Sequence, residues 1–172
     1  QEIYYPTFLD DFNEWLNKMG YTCVLQDLKK DKNKIGNVIL YKRELFKCDH
    51  IESRSKVLII KLDSKDSSFY ISNVHLRAGG NMKEERNKQL DSLMKRIDNK
   101  KPNIICGDFN DSEIMIQDFQ VHETGLSATF YSPPKHKFKF DHIYFNKYIT
   151  TQWVSIDDNL LYNIIKNNIK LN

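Results

Sequence analysis

The order of two apolar runs and an intervening helix constrains the fold of this chain more than any other feature of its sequence. Residues 69–76 and 103–106 are apolar runs of strand length, and residues 81–97 between them repeat apolar side chains at helical spacing. Two strands joined by a crossover helix lie parallel in one sheet. Because their carboxyl ends then share an edge, we expect His75 and Asp108 to lie close together.

The second of these strands opens into a short polar turn. Gly107 ends the apolar run, and Asp108 and Asn110 follow with one residue between them, so both side chains can point to one side while Phe109 turns inward. A carboxylate and an amide in this arrangement can orient a water or a metal and bind a phosphoryl oxygen. The same residues also suit a turn in which they only cap backbone groups, and both interpretations stay open.

Polar side chains also mark two neighbouring strand ends. Strand alternation places Asn73 and His75 on one face, where His75 is either a satisfied structural histidine or a contact for a phosphate. Asp141 stands between aromatic residues at the head of the run 140–145, and a carboxylate buried there has to be paired or belong to a site.

The rest of the apolar pattern predicts further elements. A first helix is expected after Pro6, with Thr7 and Asp10 as a capping box, Gly20 at its end, and its aromatic side chains in the core. The apolar stripe of that helix consists of Phe8, Leu9, Phe12, Trp15, Leu16 and Met19. Strands are expected at 21–28, 37–42, 57–62, 128–131, 140–145 and 152–156, helices at 112–119 and 160–165, and a charged turn at 29–34.

Composition and charge limit the class of protein. The chain has 172 residues, of which 40% are hydrophobic and 28% charged, and this predicts one globular domain rather than disorder. A net charge of +3 permits a polyanionic partner without requiring one. The aromatic residues Tyr131, Phe138 and Phe140, with lysines beside them, suit either base stacking or a solvated loop.

Cysteine usage and the absence of long apolar runs predict the compartment. Cys23, Cys48 and Cys106 are odd in number and show no metal-ligand spacing, which favours buried free thiols in a reducing environment. No apolar run approaches the roughly 18 residues of a membrane span, and no signal-peptide pattern is present. We therefore expect a cytoplasmic or nuclear protein without membrane association, and a monomer.

Four motifs in a fixed order resemble one known superfamily. They are Gln-Glu at residues 1–2, Asn-Val-His-Leu at 73–76, Gly-Asp-Phe-Asn at 107–110 and Phe-Asp-His-Ile at 140–143. Together they resemble the endonuclease/exonuclease/phosphatase superfamily with its DNase-I-like fold, and most of all its deadenylase and nocturnin branch. The resemblance implies a single α/β (α+β) domain over residues 1–172, built as a four-layer sandwich of two packed mixed β-sheets flanked by helices on both outer faces.

The resemblance also implies phosphoester hydrolysis assisted by Mg²⁺, with Mn²⁺ as a substitute. Matched by position, Glu2 is the metal-ligating carboxylate, His75 contacts the scissile phosphate, and Asp108 orients or deprotonates the attacking water. Asn110 holds a phosphoryl oxygen, and Asp141 supports the site from the adjacent strand. These roles agree with the preference of a hard divalent cation for oxygen ligands.

The substrate implied is RNA or a nucleotide, with Asn73 and Arg77 as substrate-binding residues. The leading hypothesis is a metal-dependent phosphodiesterase, either a deadenylase-like 3′-exoribonuclease or a nucleotide phosphatase. One alternative keeps the chemistry and changes the substrate to an inositol phosphate, a sphingolipid or abasic DNA. A second alternative is a non-catalytic member that binds nucleic acid or serves as a scaffold.

Two features of the superfamily are not found in the sequence. Its members begin with a strand that carries an Asn at the metal site, and nothing before Gln1 supplies it. They end with a Ser-Asp-His turn, whereas residues 148–172 contain only Asp157 and Asp158 without a following His. The start within a motif favours a trimmed sequence over a degenerate site. For the sequence as it stands we expect weak catalysis, since losing an acid/base lowers rates by about 10²–10⁴.

Overall fold

The computed structural model of the protein describes residues 1–28, 34–54, 56–122, 129–132 and 136–149. The predicted elements at 152–156 and 160–165, and most of the charged turn at 29–34, lie outside these ranges. Within them the elements are, in chain order, β1 (Ile3–Tyr4), α1 (Tyr5–Lys18), β2 (Tyr21–Leu25), β3 (Ile35–Gly36), β4 (Val38–Lys42), β5 (Lys47–Arg54), β6 (Val57–Asp63), β7 (Ser68–His75), α2 (Lys83–Met94), β8 (Asn103–Asp108), β9 (Phe119–Val121), β10 (Phe130–Ser132), β11 (His136–Phe138) and β12 (Asp141–Asn146).

A six-stranded mixed sheet forms the centre of the fold, in the order β5-β6-β7-β8-β12-β9. Strands β7 and β8 are parallel and are joined through α2, as the sequence predicts. Strands β6 and β7 form an antiparallel hairpin, and β12 pairs antiparallel with β8. The carboxyl ends of β7 and β8 and the amino end of β12 therefore meet at one edge of this sheet.

A smaller sheet packs against one face of the large sheet. It consists of β2 and β4, whose buried residues Val24 and Ile39 contact a row on β6 made of Leu58, Ile60 and Leu62. The alternation of apolar side chains along β6 supplies this row, since every second residue points to the same face. The mixed α/β fold with two packed sheets is thus the predicted one.

Helix α2 covers the opposite face of the large sheet. Its stripe of Leu90 and Leu93, continued by Ile97, packs on strand residues that include Val74 and Ile105. On the other side of the molecule, α1 contacts β2. Among the described residues, neither helix combines the length and the apolar character that a membrane-spanning helix needs.

The prediction that the aromatic residues of α1 lie in the core is wrong. The side chains of Phe12 and Trp15 are 49% and 55% exposed, and Leu16 is the buried residue of the helix. A pair of strands, β2 and β4, presents too narrow a surface to cover the whole apolar stripe. The predicted capping box of Thr7 and Asp10 is also wrong, because α1 begins at Tyr5 without a side-chain cap. At the other end, Gly20 follows the helix with φ +77°, as expected.

Two other elements differ from the sequence prediction. No helix forms at 112–119; instead Ile114 and Ile116 are both buried from an extended segment, and the Tyr144 hydroxyl donates to the Ile114 carbonyl oxygen over 2.6 Å. Strand β5 was not predicted, because its charged and polar residues alternate without an apolar face. It lies at the edge of the sheet, where such a composition is tolerated.

Candidate functional site

His75, Asp108 and Asp141 lie side by side at the shared edge of three neighbouring strands. Asp108 is the register partner of His75 across the parallel β7–β8 pair, and of Asp141 across the antiparallel β8–β12 pair. The His75 Nε2 atom is 3.9 Å from Asp108 Oδ2, and the two side chains are 21% and 27% exposed. The structure therefore places one imidazole and two carboxylates together, within reach of a ligand from solvent.

Gly107 allows β7 and β8 to approach closely next to these side chains. Its φ of +135° disfavours other residues, and a Cβ atom there would lie 2.0 Å from the Val74 carbonyl oxygen. The Gln1 side-chain nitrogen would be 2.9 Å from the same Cβ position, so the amino end of the chain reaches this edge. The glycine thus keeps space for the backbone on which Asp108 is mounted.

The turn after β8 satisfies its own backbone and still presents polar atoms. Asp108 Oδ1 accepts the Asn110 backbone N–H over 2.7 Å, and the Asn110 side-chain nitrogen donates to the Leu76 carbonyl oxygen over 3.0 Å. Phe109 is fully buried, as predicted, and anchors the turn in the core. The capping contacts are therefore real, but they leave Asp108 Oδ2 and the second amide hydrogen of Asn110 for other partners.

The environment of Asp108 disfavours its ionised form. Desolvation raises the pKa of Asp108 above its ordinary 3.8, against the lowering effect of the hydrogen bond from the Asn110 N–H. The nearby carboxylate of Asp141 raises it further, His75 lowers it, and Glu2 adds a smaller increase. Several negative groups thus crowd one edge, which favours binding of a proton or a cation.

Glu2 lies at the same edge but does not complete a metal cage. Its side chain is exposed, its φ is +52°, and its influence on Asp108 is electrostatic. Next to it, the Gln1 side-chain nitrogen is 3.5 Å from Asp141 Oδ1. In the part of the chain that the structure describes, no three His, Cys, Asp or Glu side chains are grouped to hold a metal ion.

The chemistry of the donors nevertheless suits a hard cation. The atoms brought to this edge are carboxylate and amide oxygens, the ligands that Mg²⁺ and Mn²⁺ prefer, and the repulsion among the carboxylates would be relieved by a positive charge. The carboxylate of Glu2, the residue expected to bind the metal, is exposed, and metal binding by it stays a prediction.

Arg86, which the sequence analysis did not single out, holds the two loops of the site together. Its guanidinium is 4% exposed and donates to the carbonyl oxygens of Arg77 (3.1 Å) and Gly79 (2.8 Å) in the loop after β7. It also donates to Asp111 Oδ2 over 3.0 Å, in the turn after β8. A signal was present in the sequence, because Arg86 stands four residues before Leu90 on the buried stripe of α2.

Asp111 is ionised and joined to the third strand of the site. Desolvation by itself would raise the pKa of Asp111. Hydrogen bonds from the Glu113 N–H and the Arg86 guanidinium outweigh this effect and lower the pKa below its ordinary value. Its backbone carbonyl oxygen lies 2.9 Å from Nε2 of the buried His142, which follows Asp141 on β12. Arg86 and Asp111 therefore connect the segments that carry all three central side chains.

The two residues predicted to bind substrate differ in accessibility. Arg77 is exposed in the loop after β7, and its backbone N–H donates to Gln89 Oε1 over 3.0 Å. Asn73 is 9% exposed, and its side-chain nitrogen donates to the Val38 carbonyl oxygen of β4 over 2.9 Å. Asn73 joins the two sheets behind the site, and a substrate contact from it stays a prediction.

The aromatic and cysteine predictions have partial outcomes. The rings of Phe138 and Phe140 stack on each other with centroids 5.0 Å apart; residues 133–135 and the side chains of residues 130–132 and 136–137 lie outside the described part.

The predicted free thiols are confirmed for Cys23, Cys48 and Cys106, although they are partly rather than fully buried. Desolvation raises the pKa of each, so these thiols stay protonated.

No family model matches the chain, and no curated protein matches it in sequence. Solved structures do match. The human Nocturnin catalytic domain with a bound sulfate superposes with a TM-score of 0.61 and 19% identity, over 82% of this chain and 66% of that one. Zebrafish (D. rerio) TDP2 in complex with a single-strand DNA product superposes with a TM-score of 0.64 and 18% identity, over 91% of this chain and 73% of that one.

A third match is ANGEL2, a 2′,3′-cyclic phosphatase in complex with adenosine-2′,3′-vanadate, with a TM-score of 0.64 and 13% identity over 85% and 68% of the two chains. All three are endonuclease/exonuclease/phosphatase structures. The chain spans about two thirds of the length of Nocturnin and ANGEL2 as solved. The protein described here therefore has the DNase-I-like fold, and the resemblance seen in the sequence is confirmed for the fold.

Proposed function

We propose that the protein is a metal-dependent phosphoester hydrolase that acts on RNA or a nucleotide, as a deadenylase-like 3′-exoribonuclease or a nucleotide phosphatase. The observation that carries this proposal is the alignment of His75, Asp108 and Asp141 on three adjacent strands. An imidazole beside two carboxylates, one with a raised pKa, is suited to orienting water and stabilising negative charge on a phosphoryl group.

Each side chain has a distinct task in this proposal. Asp108 Oδ2 orients the attacking water and accepts its proton, since Oδ1 is already engaged by the turn. His75 Nε2 donates to a non-bridging oxygen of the scissile phosphate, and the second amide hydrogen of Asn110 donates to another. Desolvation, and to a lesser degree the neighbouring Asp141 carboxylate, raise the pKa of Asp108 and so make it a better proton acceptor.

A bound divalent metal ion belongs to the same proposal. Glu2 would hold Mg²⁺ or Mn²⁺ at this edge, and the cation when bound would polarise the phosphoryl group. Besides desolvation, which is the main cause, the carboxylates of Asp141 and Glu2 raise the pKa of Asp108, and this concentration of negative groups supports a cation in this position.

Support for a nucleic acid or nucleotide substrate comes from the ligands of similar structures. TDP2 was solved with a single-strand DNA product and ANGEL2 with an adenosine-2′,3′-vanadate, while the Nocturnin domain holds a sulfate anion. The three free thiols support an intracellular location as part of this proposal. Arg77, exposed beside His75, is the proposed substrate contact on the loop after β7.

Hydrolysis of a 3′-labelled oligoadenylate by the purified chain tests the proposal, with Mg²⁺, with Mn²⁺ and with a chelator. We expect slow cleavage that stops when the chelator is added. A parallel panel contains a nucleoside 2′,3′-cyclic phosphate, single-stranded DNA and an inositol phosphate, which separates the substrate alternatives. Absence of turnover on the whole panel, with the nucleic acid still bound, would favour the non-catalytic alternative.

A further inference from the structure

The loop after β7 is held through its backbone by two side chains of α2. Gln89 Oε1 accepts the Arg77 backbone N–H over 3.0 Å, and the Arg86 guanidinium donates to the Arg77 carbonyl oxygen over 3.1 Å. Residues three apart lie on the same side of a helix, so both side chains reach the loop from one flank of α2. The two peptide groups on either side of the Arg77 Cα atom are therefore fixed from the helix.

The peptide groups just before Arg77 are fixed by the strands and by the turn after β8. The Leu76 N–H donates to the Asp108 carbonyl oxygen over 2.9 Å. The Leu76 carbonyl oxygen accepts the Asn110 side-chain N–H over 3.0 Å. An unbroken run of hydrogen-bonded peptide groups thus connects His75 of the candidate site to Arg77.

This run directs the Arg77 side chain toward the candidate site. Val74 and Leu76 are fully buried in the core under α2. Alternation puts His75 on the other face of the strand, and continuing it by two residues places Arg77 on the face of His75. Arg77 is exposed, and among the described residues its guanidinium has no hydrogen-bond or ion-pair partner. The cation is therefore free to bind a ligand while its backbone is already in place.

The contact of Gln89 can be removed without disturbing the core, unlike that of Arg86. The guanidinium of Arg86 is buried and paired with Asp111, so its loss leaves a buried charge without a partner. Gln89 is partly exposed, and replacing it removes a neutral hydrogen bond at the surface. Such a bond adds little to the stability of the fold, but it determines where the loop and its arginine lie.

We propose that Gln89 is a positioning residue: by holding the Arg77 backbone, it keeps the Arg77 guanidinium beside His75, ready to bind a phosphate of the substrate. The proposal rests on the proposed function and deepens it, because it assigns substrate affinity to a residue of α2 that lies outside the candidate site. Ordering the backbone of one residue during binding weakens affinity about fivefold to thirtyfold. A guanidinium that is held in advance avoids this loss.

Amide hydrogen exchange of the full chain tests the contact itself. Gln89→Met keeps the length of the side chain and removes the acceptor, so the Arg77 N–H should exchange at least about fivefold faster. Gln89→Glu keeps an oxygen acceptor and should exchange as the parent does. Gln117→Met is the control, since Gln117 is an exposed glutamine close to β9, at the opposite edge of the sheet. An unchanged exchange rate of the Arg77 N–H in Gln89→Met would overturn the proposal.

A double-mutant cycle with Arg77→Ala tests the effect on affinity. The probe is a fluorescent oligoadenylate, with Kd measured by anisotropy in chelator and with kcat and KM measured in Mg²⁺. Gln89→Met should raise Kd and KM about fivefold to tenfold and leave kcat unchanged, because the contact acts on binding alone. In the Arg77→Ala background the same replacement should change neither constant, since the two residues act as one unit.

A Gln89→Met effect of equal size in both backgrounds, or no effect on affinity in the parent background, would overturn the proposal. Binding with the expected coupling but without hydrolysis of any substrate would refute the proposed function and leave the positioning role intact. Hydrolysis without coupling would have the opposite meaning. A parent chain that does not bind the oligoadenylate would overturn the positioning role as stated, and the proposed function would then depend on the panel of smaller substrates.

Discussion

His75 and Asp108 occupy the same register position on two parallel neighbouring strands, and their facing atoms Nε2 and Oδ2 are 3.9 Å apart. This distance is longer than a hydrogen bond, so a third atom can contact both groups. The pair is held by the backbone, since the Leu76 N–H donates to the Asp108 carbonyl oxygen over 2.9 Å. The site is therefore organised by strand pairing before any ligand binds.

Replacement of Gly107 should damage the fold at this edge. In Gly107→Ala the new methyl group would overlap the Val74 carbonyl oxygen, and φ of +135° is strained for alanine. We expect a loss of about 2–4 kcal/mol in the free energy of unfolding, measured by urea denaturation. Gly80→Ala is the control, because nothing lies within 4 Å of its Cβ position. A loss no greater than that of the control would contradict the close approach of the strands.

The buried ion pair of Arg86 and Asp111 should show strong coupling. The side chains are 4% and 13% exposed, and removing one partner leaves a buried charge unpaired, so each alanine variant should lose about 3–5 kcal/mol of stability. In the double-mutant cycle we expect a coupling energy of about 1–3 kcal/mol. The exposed pair of Glu14 and Lys18 provides the control cycle, with coupling below about 0.5 kcal/mol. If the stability losses of the two single variants at the buried pair simply add in the double variant, the pair does not connect the two loops.

Asp108 should lower the stability of the protein at neutral pH. A carboxyl whose pKa is raised in the folded state contributes stability below its unfolded pKa, and this contribution is lost as the pH rises through the folded value. Asp108→Asn keeps the acceptor for the Asn110 N–H but carries no charge. We therefore expect the variant to be more stable than the parent at pH 7.

The advantage of Asp108→Asn should disappear as the pH falls below 3.8, where the parent carboxyl is protonated in both states. Urea denaturation in chelator at several pH values measures this difference, and Asp66→Asn in the distant β6–β7 turn is the control. A variant less stable than the parent at pH 7 would contradict the electrostatic crowding assigned to this edge.

The sequence predicted the centre of the site because strand pairing determines it. A strand, crossover helix and strand force the carboxyl ends of β7 and β8 together, so the proximity of His75 and Asp108 follows from local patterns. Arg86 could not be placed in the same way. Its role depends on backbone oxygens of one loop and a carboxylate of another, and neither is visible in the periodicity of α2.

Exposure was harder to predict than secondary structure. The stripe with Phe12 and Trp15 is typical of a helix against a core, yet periodicity identifies only an apolar face and does not specify the surface that covers it. The segment with Ile114 and Ile116 was assigned to a helix on weak local signals, whereas two buried side chains two residues apart are the mark of an extended chain.

The most direct test of the central claim is the rate of oligoadenylate hydrolysis by Asp108→Asn, measured beside the parent chain and Asp66→Asn with Mg²⁺ present. We expect Asp108→Asn to hydrolyse the substrate about 10²–10⁴-fold more slowly than the parent while remaining folded, and Asp66→Asn to keep the parent rate. Equal rates in the parent and in Asp108→Asn would contradict the assignment of this strand edge as the site of phosphoester hydrolysis.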